Sequence, residues 1–286
     1  MNVLSSSAKA ILLTFFIAHV FGLFFINTAF DFGQGVLEVK QTDFLERPEL
    51  DSTKTAIYIL VGILIGTLLL LLIAKFNKVL LWKLWFYSAS FVGIFLALSI
   101  VFPDLLALLL TIILVFLKYF IKNNLLYNFT EILFYSGLVV FLAPLLDIFT
   151  TILLLIIISF YDAYAVWKSK HMITMANFTA KTKIFPGINY NYSEQQLATN
   201  NSNKKKFSVG LLGGGDIIFS LLITAVLFKE LLISGVEPLL SIIVPIFSTF
   251  ALYLLFKFSN KNSFYPAMPF ISAGCFLAVG IVFLLI

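Results

Sequence analysis

The sequence predicts an all-α, polytopic membrane protein. Of its 286 residues, 61% are hydrophobic and only 12% are charged, and the mean hydropathy is +1.05. A soluble domain is about half apolar and about a quarter charged. The apolar stretches are long and continuous, whereas the strands of an outer-membrane barrel would alternate polar and apolar residues. The first stretch has no small-residue cleavage site after a short apolar core, so we expect it to remain as a helix.

Nine stretches are long enough to cross a bilayer, which takes about 20 apolar residues. Pro103 separates the third stretch from the fourth, and Pro144 with Asp147 separates the fifth from the sixth. The fourth is short and carries Lys118. The predicted spans are residues 8–30, 55–75, 79–102, 104–121, 128–146, 147–168, 208–228, 234–257 and 266–286.

Nine spans divide the basic residues very unevenly between the two sides of the membrane. With the N-terminus inside, fifteen of the 19 lysine and arginine residues fall on the inner side. Cytoplasmic loops normally carry this excess. The sequence therefore predicts a multi-pass protein with its N-terminus and its long basic loop in the cytoplasm and its C-terminus outside.

The chain divides into three predicted parts. Residues 1–168 hold spans one to six, residues 169–207 form the hydrophilic cytoplasmic loop, and residues 208–286 hold spans seven to nine. Within the loop, residues 168–180 are amphipathic enough for an interfacial helix. Residues 189–203 are rich in asparagine and serine, and we expect them to be flexible.

Composition also argues against several classes of site. The single cysteine, Cys275, rules out an internal disulfide or a cysteine metal cluster, and two histidines, His19 and His171, are too few for a histidine-rich metal site. We therefore predict neither a metal nor another cofactor. The net charge of +5 comes from lysines at helix ends and does not indicate nucleic-acid binding.

Two aspartates, Asp162 and Asp216, lie inside otherwise apolar stretches. An ionisable residue in a membrane helix is costly and normally marks a pathway or an active site. Spans six and seven run in opposite directions, so both carboxyl groups fall in the inner part of the membrane. Two carboxyls a few ångströms apart share a proton, so that one acts as a base while the other acts as an acid. Such a pair can activate water for attack on an amide carbonyl.

Unusual backbone accompanies these aspartates. Three glycines, 213–215, directly precede Asp216 and would let the backbone approach another chain closely. Residues 207–212 could offer a strand edge to an extended substrate. The prolines of Pro266-Ala267-Met268-Pro269 predict unwound backbone at the start of span nine. Such backbone is tolerated at membrane depth only where it lines a cavity or is buried in protein.

Three short motifs resemble those of the presenilin and signal peptide peptidase family of GxGD-type intramembrane aspartyl proteases, especially its microbial, archaeal members. In chain order they are Tyr161-Asp162, Gly213-x-Gly215-Asp216 and Pro266-Ala267-Met268. The family's third motif is Pro-Ala-Leu, so Met268 stands where the family has leucine, a residue of similar volume.

The resemblance implies a presenilin-like fold of nine spans in which Asp162 and Asp216 are the catalytic pair. It also implies that neighbouring residues shape the site, contact the substrate or position Asp216: Tyr161, Gly213, Gly215, Pro266, Ala267 and Met268. The implied substrates are transmembrane-helix proteins or signal peptides in the lipid bilayer, which must unwind locally before cleavage. Homo-oligomers are compatible with the sequence.

The predicted function is therefore an intramembrane aspartyl endopeptidase. The main alternative is a proton- or ion-coupled transporter or channel that uses the same carboxylates, with a broken helix near Pro266 forming its site. No internal repeat supports that alternative. A prepilin-peptidase type of enzyme, which shares a GxGD motif but has fewer spans, and a non-catalytic scaffold rank lower.

Four other polar residues have structural interpretations. We expect Lys118 to extend to the membrane interface and Glu131 to take part in packing or lie at the interface. We expect His19 to be a hydrogen-bonded core residue. Ser220 lies one turn after Asp216, from where it could hydrogen-bond the Asp216 carboxyl.

Overall fold

The computed structural model describes most of the chain as helix. The described residues are 5–33, 36–40, 42, 44, 48, 50–121, 123–168, 178–179, 182, 184–192, 208–259 and 265–286. Within them, nine helices are defined: α1 (Ser6–Ala29), α2 (Ser52–Lys75), α3 (Val79–Val101), α4 (Asp104–Phe120), α5 (Asn124–Leu142), α6 (Ile148–Trp167), α7 (Gly214–Ile233), α8 (Ile243–Phe258) and α9 (Met268–Leu285). Short 3-10 segments, Ala143–Leu145 and Pro238–Ile242, follow α5 and precede α8.

Among the described residues, seven helical segments are long and apolar enough to cross a membrane. They comprise α1, α2, α3, α5, α6, α8 with its 3-10 segment, and α9. Of the other two helices, α4 has 17 residues, and α7 carries Asp216, Lys229 and Glu230. The prediction of a helical, multi-pass membrane protein is confirmed.

Polar residues at the helix starts explain why the apolar runs begin where they do. The side chains of Ser5, Asp51, Asn123 and Asp147 each accept a hydrogen bond from a backbone N–H in the first turn of the helix that follows. These bonds satisfy N–H groups that have no partner within the helix. Most helices consequently begin and end within a few residues of the predicted spans.

The described residues include four short strands in two antiparallel pairs, which depart from the all-helical expectation. Strand β1 (Phe30–Gly33) pairs antiparallel with β2 (Val36–Val39), and β3 (Gly187–Tyr192) pairs antiparallel with β4 (Ser208–Gly213). The prediction that span seven begins as a helix at residue 208 is wrong. Residues 208–213 pair with β3 instead, and the glycines that follow are poor helix formers until α7 begins.

The same hairpin corrects one prediction for the loop. Residues 189–192, which we expected to be flexible, belong to β3. Residues 193–203 lie outside the described residues. So does most of the predicted interfacial helix at 168–180, of which the structure describes residues 168 and 178–179.

Helix α7 lies at the centre of the molecule. Thirteen of its 20 residues are buried, and it contacts α1, α5, α6, α8 and α9. Helix α5 packs closely on α3, because a Cβ atom at Gly137 would collide with the backbone of Gly93 and Ala97. Close approach through small residues is a common way for membrane helices to pack. The core thus holds α7 between α5 and α6, the helices on either side of the predicted site.

Candidate active site

Asp162 lies five residues before the end of α6 and is 9% exposed. Its Oδ2 atom accepts a hydrogen bond from the backbone N–H of Met268 at 3.2 Å. The N–H of Ala267 hydrogen-bonds the same carboxyl group. Met268 is the first residue of α9 and Ala267 is its N-cap. Asp162 therefore occupies the N-terminal end of a neighbouring helix, where N–H groups lack partners and the helix dipole favours a negative charge.

The start of α9 is built to present those N–H groups. Pro266 is buried, and Pro269 lies in the first turn, where the lack of an N–H costs nothing. One turn further on, the Ser159 hydroxyl of α6 donates to the Ser272 hydroxyl of α9 at 2.8 Å. This bond joins α6 to α9 next to Asp162.

Tyr161, the residue before Asp162, reaches a different part of the molecule. Its hydroxyl donates to Thr67 Oγ1 on α2 at 3.2 Å. Tyr161 is half-buried. The described contact therefore links α6 to the peripheral helix α2.

Asp216 lies in the first turn of its own helix. Helix α7 begins at Gly214 with Gly213 as the N-cap, so Asp216 is the third helical residue. The backbone N–H of Gly213 lies close enough to the Asp216 carboxyl group to favour its charged form. An acidic side chain at this position that reaches back to the N-cap N–H forms one half of a capping box. The spacing of Gly213 and Asp216 in the motif is thus the spacing of an N-cap and the third residue of its helix.

The three glycines before Asp216 have unequal surroundings. A Cβ atom at Gly214 would lie 2.8 Å from the hydroxyl oxygen of Tyr135 on α5. One at Gly213 would lie 3.2 Å from Asp216 Oδ2, whereas one at Gly215 would meet nothing closer than 3.9 Å. The most crowded position is Gly214, which the motif itself leaves variable.

The fold brings the two acidic groups together. Helices α6 and α7 pack against each other, and Asp162 and Asp216 lie close enough for the charge of one to affect the other. Asp162 is buried and Asp216 is half-buried. Since two neighbouring carboxyls resist double ionisation, the pair can hold one proton between them. This arrangement suits acid–base chemistry on a water molecule.

A strand leads directly into this site. Strand β4 ends at Gly213, and its partner β3 is fixed from the other side by Asn128 of α5. The Asn128 side chain donates to the Asn189 carbonyl and accepts from the Asn189 N–H, both at 3.1 Å. Because Asn189 directs these groups away from β4, its antiparallel partner Leu211 must direct its own N–H and C=O away from β3. Strand β4 therefore presents hydrogen-bonding groups on its outer edge, and no other described strand pairs with them.

Further contacts hold β3 in place. The Tyr127 hydroxyl donates to the carbonyl of Phe185, and the hydroxyls of Thr14 and Tyr190 are 2.5 Å apart. The hairpin is thus anchored to α1 and α5 through β3.

Sequence reasoning missed a buried ion pair beside the site. Lys118 is 4% exposed, and its Nζ atom lies 2.6 Å from Glu131 Oε1. The expectation that Lys118 extends to the membrane interface is therefore wrong, because Glu131 and Ser90 provide partners inside the protein. The thirteen-residue separation of Lys118 and Glu131 across a helix connection gives no periodic signal in the sequence.

His19 and Ser220 form a second polar contact near Asp216. His19 is fully buried, donates from Nδ1 to the Phe15 carbonyl at 2.8 Å, and lies 2.9 Å from Ser220 Oγ through Nε2. Its prediction as a hydrogen-bonded core residue is confirmed. Ser220 instead contacts the main-chain carbonyl of Asp216 at 2.8 Å, so the expected bond to the carboxyl is wrong. Among the described residues, no cluster of three histidine, cysteine or acidic side chains could hold a metal ion.

Both the sequence and the fold match known proteins. The family described as signal-peptide peptidase, presenilin aspartyl protease matches residues 35–286. Two solved structures, each of a presenilin family intramembrane aspartate protease, are similar in fold. The one in space group C222 is 17% identical, covers 98% of this chain and 99% of its own, and has a TM-score of 0.66. The one in space group P2 is also 17% identical, covers 97% of each chain, and has a TM-score of 0.62. No curated protein matches the chain.

Proposed function

The chain belongs to the signal-peptide peptidase and presenilin family of aspartyl proteases, and from this premise we propose that Asp162 and Asp216 are its catalytic pair. Family membership favours an intramembrane aspartyl protease over a transporter. The observation that carries the assignment is that the two aspartates lie on helices that pack together, close enough for the charge of one to affect the other. Each carboxyl group also lies beside backbone N–H groups at a helix N-terminus.

The proposed reaction needs only the two carboxyls and a water molecule. The ionised carboxylate takes a proton from water as the water oxygen attacks the carbonyl carbon of the substrate peptide bond. The protonated carboxyl donates its proton to the substrate. When the tetrahedral intermediate collapses, the C–N bond breaks, the leaving nitrogen receives the proton that the first carboxylate took from water, and the second carboxylate regains a proton from a hydroxyl of the intermediate. The aspartates exchange the acid and base roles during this cycle, as a coupled pair can.

The proposed substrate is a transmembrane helix that unwinds near its cleavage site. An unwound segment could add to the outer edge of β4, because Leu211 directs its N–H and C=O toward that side. The chain runs from Leu211 to Asp216 in five residues, so a peptide paired with β4 would continue toward the carboxyl pair. Residues 207–212, suggested by the sequence as such an edge, overlap this strand. Tyr161, Gly213, Gly215, Pro266, Ala267 and Met268 are proposed to shape this site or to contact the substrate.

We also propose that α4 and α7 cross the membrane, giving nine spans. Helix α4 reaches the lower limit of about 17 residues for a spanning helix. Asp216 lies in the first turn of α7, Lys229 and Glu230 are among its last five residues, and its middle is buried in the protein. With nine spans, the distribution of lysines places the N-terminus and residues 169–207 in the cytoplasm and the C-terminus outside.

Cleavage of a single-span test substrate by the purified protein tests the catalytic assignment. We expect Asp162→Asn and Asp216→Asn each to lower kcat by at least about 1000-fold, since acid–base catalysis of this kind contributes up to about 10⁴-fold. A suitable control is Asp147→Asn. This change also removes a carboxyl next to α6, but it keeps the N-cap because asparagine caps about as well as aspartate. Substantial cleavage by either of the first two variants, with the fold retained, would disprove the assignment.

A further inference from the structure

Helix α5 carries a row of polar side chains on one face. Tyr127, Asn128, Glu131 and Tyr135 are spaced by three or four residues or adjoin in sequence, and they form what we call the α5 ladder. Asn128 is 3% exposed, and Glu131 and Tyr135 are each 1% exposed. Such polar groups are rarely retained in a membrane interior without a function.

The two ends of the ladder hold the two parts of the polypeptide that form the Asp216 side of the site. At one end, Tyr127 and Asn128 bind the backbone of Phe185 and Asn189, and so fix the β3–β4 hairpin. At the other end, the Tyr135 hydroxyl lies against Gly214, where even one added carbon atom would collide with it. One helix therefore positions both the substrate-strand edge and the turn that carries Asp216.

The middle of the ladder is the buried ion pair. Glu131 uses one oxygen for Lys118 and the other, Oε2, for the Tyr135 hydroxyl, which donates to it at 2.6 Å. The Lys118 ammonium also donates to Ser90 Oγ at 3.1 Å and lies 4.7 Å from the centre of the Phe86 ring. Tyr135 is therefore held in one orientation by a carboxylate that is itself held by α3 and α4.

A buried ion pair is weak evidence for a role in stability alone, because well-packed apolar residues often serve stability equally well. This pair, however, determines where the Tyr135 hydroxyl points. The Tyr135 oxygen contacts the first residue of α7, two residues before Asp216. Movement of that oxygen would shift the capping turn and thus the carboxyl group.

We propose that Tyr135 is a positioning residue for Asp216, and that Lys118 and Glu131 act through it. This inference rests on the proposed catalytic role of Asp216. None of the three side chains takes part in the bond-breaking step. Their function is to fix the turn at 213–216 against α5 so that its carboxyl faces Asp162. Small displacements of a catalytic group lower kcat strongly even when substrate binding is unchanged.

The first test removes only the Tyr135 hydroxyl. We expect Tyr135→Phe to lower kcat about tenfold, with KM within about twofold, when it is assayed well below its unfolding temperature. Tyr253→Phe is the control, because Tyr253 stacks on Phe250 in α8, away from the ladder. A Tyr135→Phe enzyme that is less stable but retains the full kcat would overturn the proposal, since that result indicates a purely structural role.

The second test distinguishes the role of the buried charges of Lys118 and Glu131 from that of the Glu131 oxygen that accepts from Tyr135. Lys118→Met alone leaves a buried carboxylate without its cation and is expected to fold poorly. Two double variants remove both charges: Lys118→Met with Glu131→Gln, and Lys118→Met with Glu131→Leu. Glutamine still offers an oxygen to Tyr135, so we expect kcat within about threefold of the original enzyme. Leucine offers no oxygen, so we expect the kcat of the leucine double variant to be about tenfold lower than that of the original enzyme.

The two double variants and Tyr135→Phe together test whether Tyr135 positions Asp216. Equal kcat values for the glutamine and leucine double variants would contradict the proposal. If the leucine variant does not fold, the kcat of Tyr135→Phe decides alone. Failure of this proposal would leave cleavage fully dependent on Asp162 and Asp216. Failure of the catalytic assignment would instead appear as cleavage by the corresponding asparagine variants.

Discussion

The two aspartates are held in similar ways by very different parts of the chain. Asp216 is fixed by Gly213, three residues earlier in the same turn. Asp162 is fixed by Met268, which is 106 residues away and belongs to another helix. The backbone group nearest to the Asp216 carboxyl is therefore local and the turn that carries it packs on Tyr135, whereas the position of Asp162 depends on how α9 docks on α6. Changes near Asp216 should consequently have sharp effects, and changes near Asp162 should have graded ones.

The largest effect that tests this difference is expected at Gly214. A Cβ atom there would lie 2.8 Å from the Tyr135 hydroxyl oxygen and close to its ring carbons. The side chain of Tyr135 is buried and cannot move aside easily. We expect Gly214→Ala to displace the capping turn and lower kcat by about 100-fold in the substrate cleavage assay.

Gly215→Ala is the matched control for this prediction. It adds the same atom one residue later, where the nearest neighbour would be the Phe219 ring at 3.9 Å. Because alanine is also the better helix former, we expect no loss of stability and a smaller fall in kcat than in Gly214→Ala. If the two alanine variants have the same activity, the crowding at Gly214 does not control the position of Asp216.

An intermediate effect is expected at the contact between α6 and α9. Ser272→Ala removes the hydroxyl that hydrogen-bonds Ser159, while the Ser159 hydroxyl can still donate to the Leu155 carbonyl at 2.7 Å. Loss of one buried hydrogen bond costs about 1 kcal/mol of unfolding free energy. Since α9 also supplies the N–H groups that hold Asp162, we expect kcat to fall about threefold. Both quantities can be measured by denaturation and by cleavage kinetics.

Ser248→Ala distinguishes this effect from a general loss of stability. It removes a buried hydroxyl that bonds within α8, to the Pro245 carbonyl. We expect a similar loss of stability from this change without a fall in kcat. Equal falls in kcat for the two serine variants would mean that docking of α9 does not position Asp162.

The same difference between local and distant contacts explains how much the sequence could predict. Most helices were predictable because a run of apolar residues bounded by a polar cap is a local pattern, as at Asp147 and α6. The Asp216 motif was recognisable for the same reason. The donors to Asp162 could not be derived from residue patterns, because they depend on the packing of two helices far apart in the sequence.

Hydropathy, which is read from the sequence, does not show whether a helix is in contact with lipid or buried in the protein. Helices α2 and α7 are about equally apolar, yet α2 has only three buried residues among its 24, whereas α7 has thirteen among 20. In a bilayer, apolar side chains are as stable against lipid as against protein, so the central helix need not be the most apolar. Ser220, Thr224 and Lys229 of α7 and the Lys118–Glu131 pair are buried in the protein, because polar groups are costly in contact with lipid.

The smallest effect is expected at Met268, where leucine is the residue of the family's motif. The bond to Asp162 comes from the backbone N–H of Met268, not from its side chain. The Met268 side chain is 3% exposed, and an exchange of methionine for leucine in a packed core usually costs less than about 1.5 kcal/mol. We expect Met268→Leu to keep kcat within about twofold in the cleavage assay. Met268→Ala, which leaves a cavity costing about 2–5 kcal/mol, should lower both stability and kcat. A loss of activity in the leucine variant as large as in the alanine variant would show that the side chain of Met268, rather than its backbone, determines how Asp162 is held.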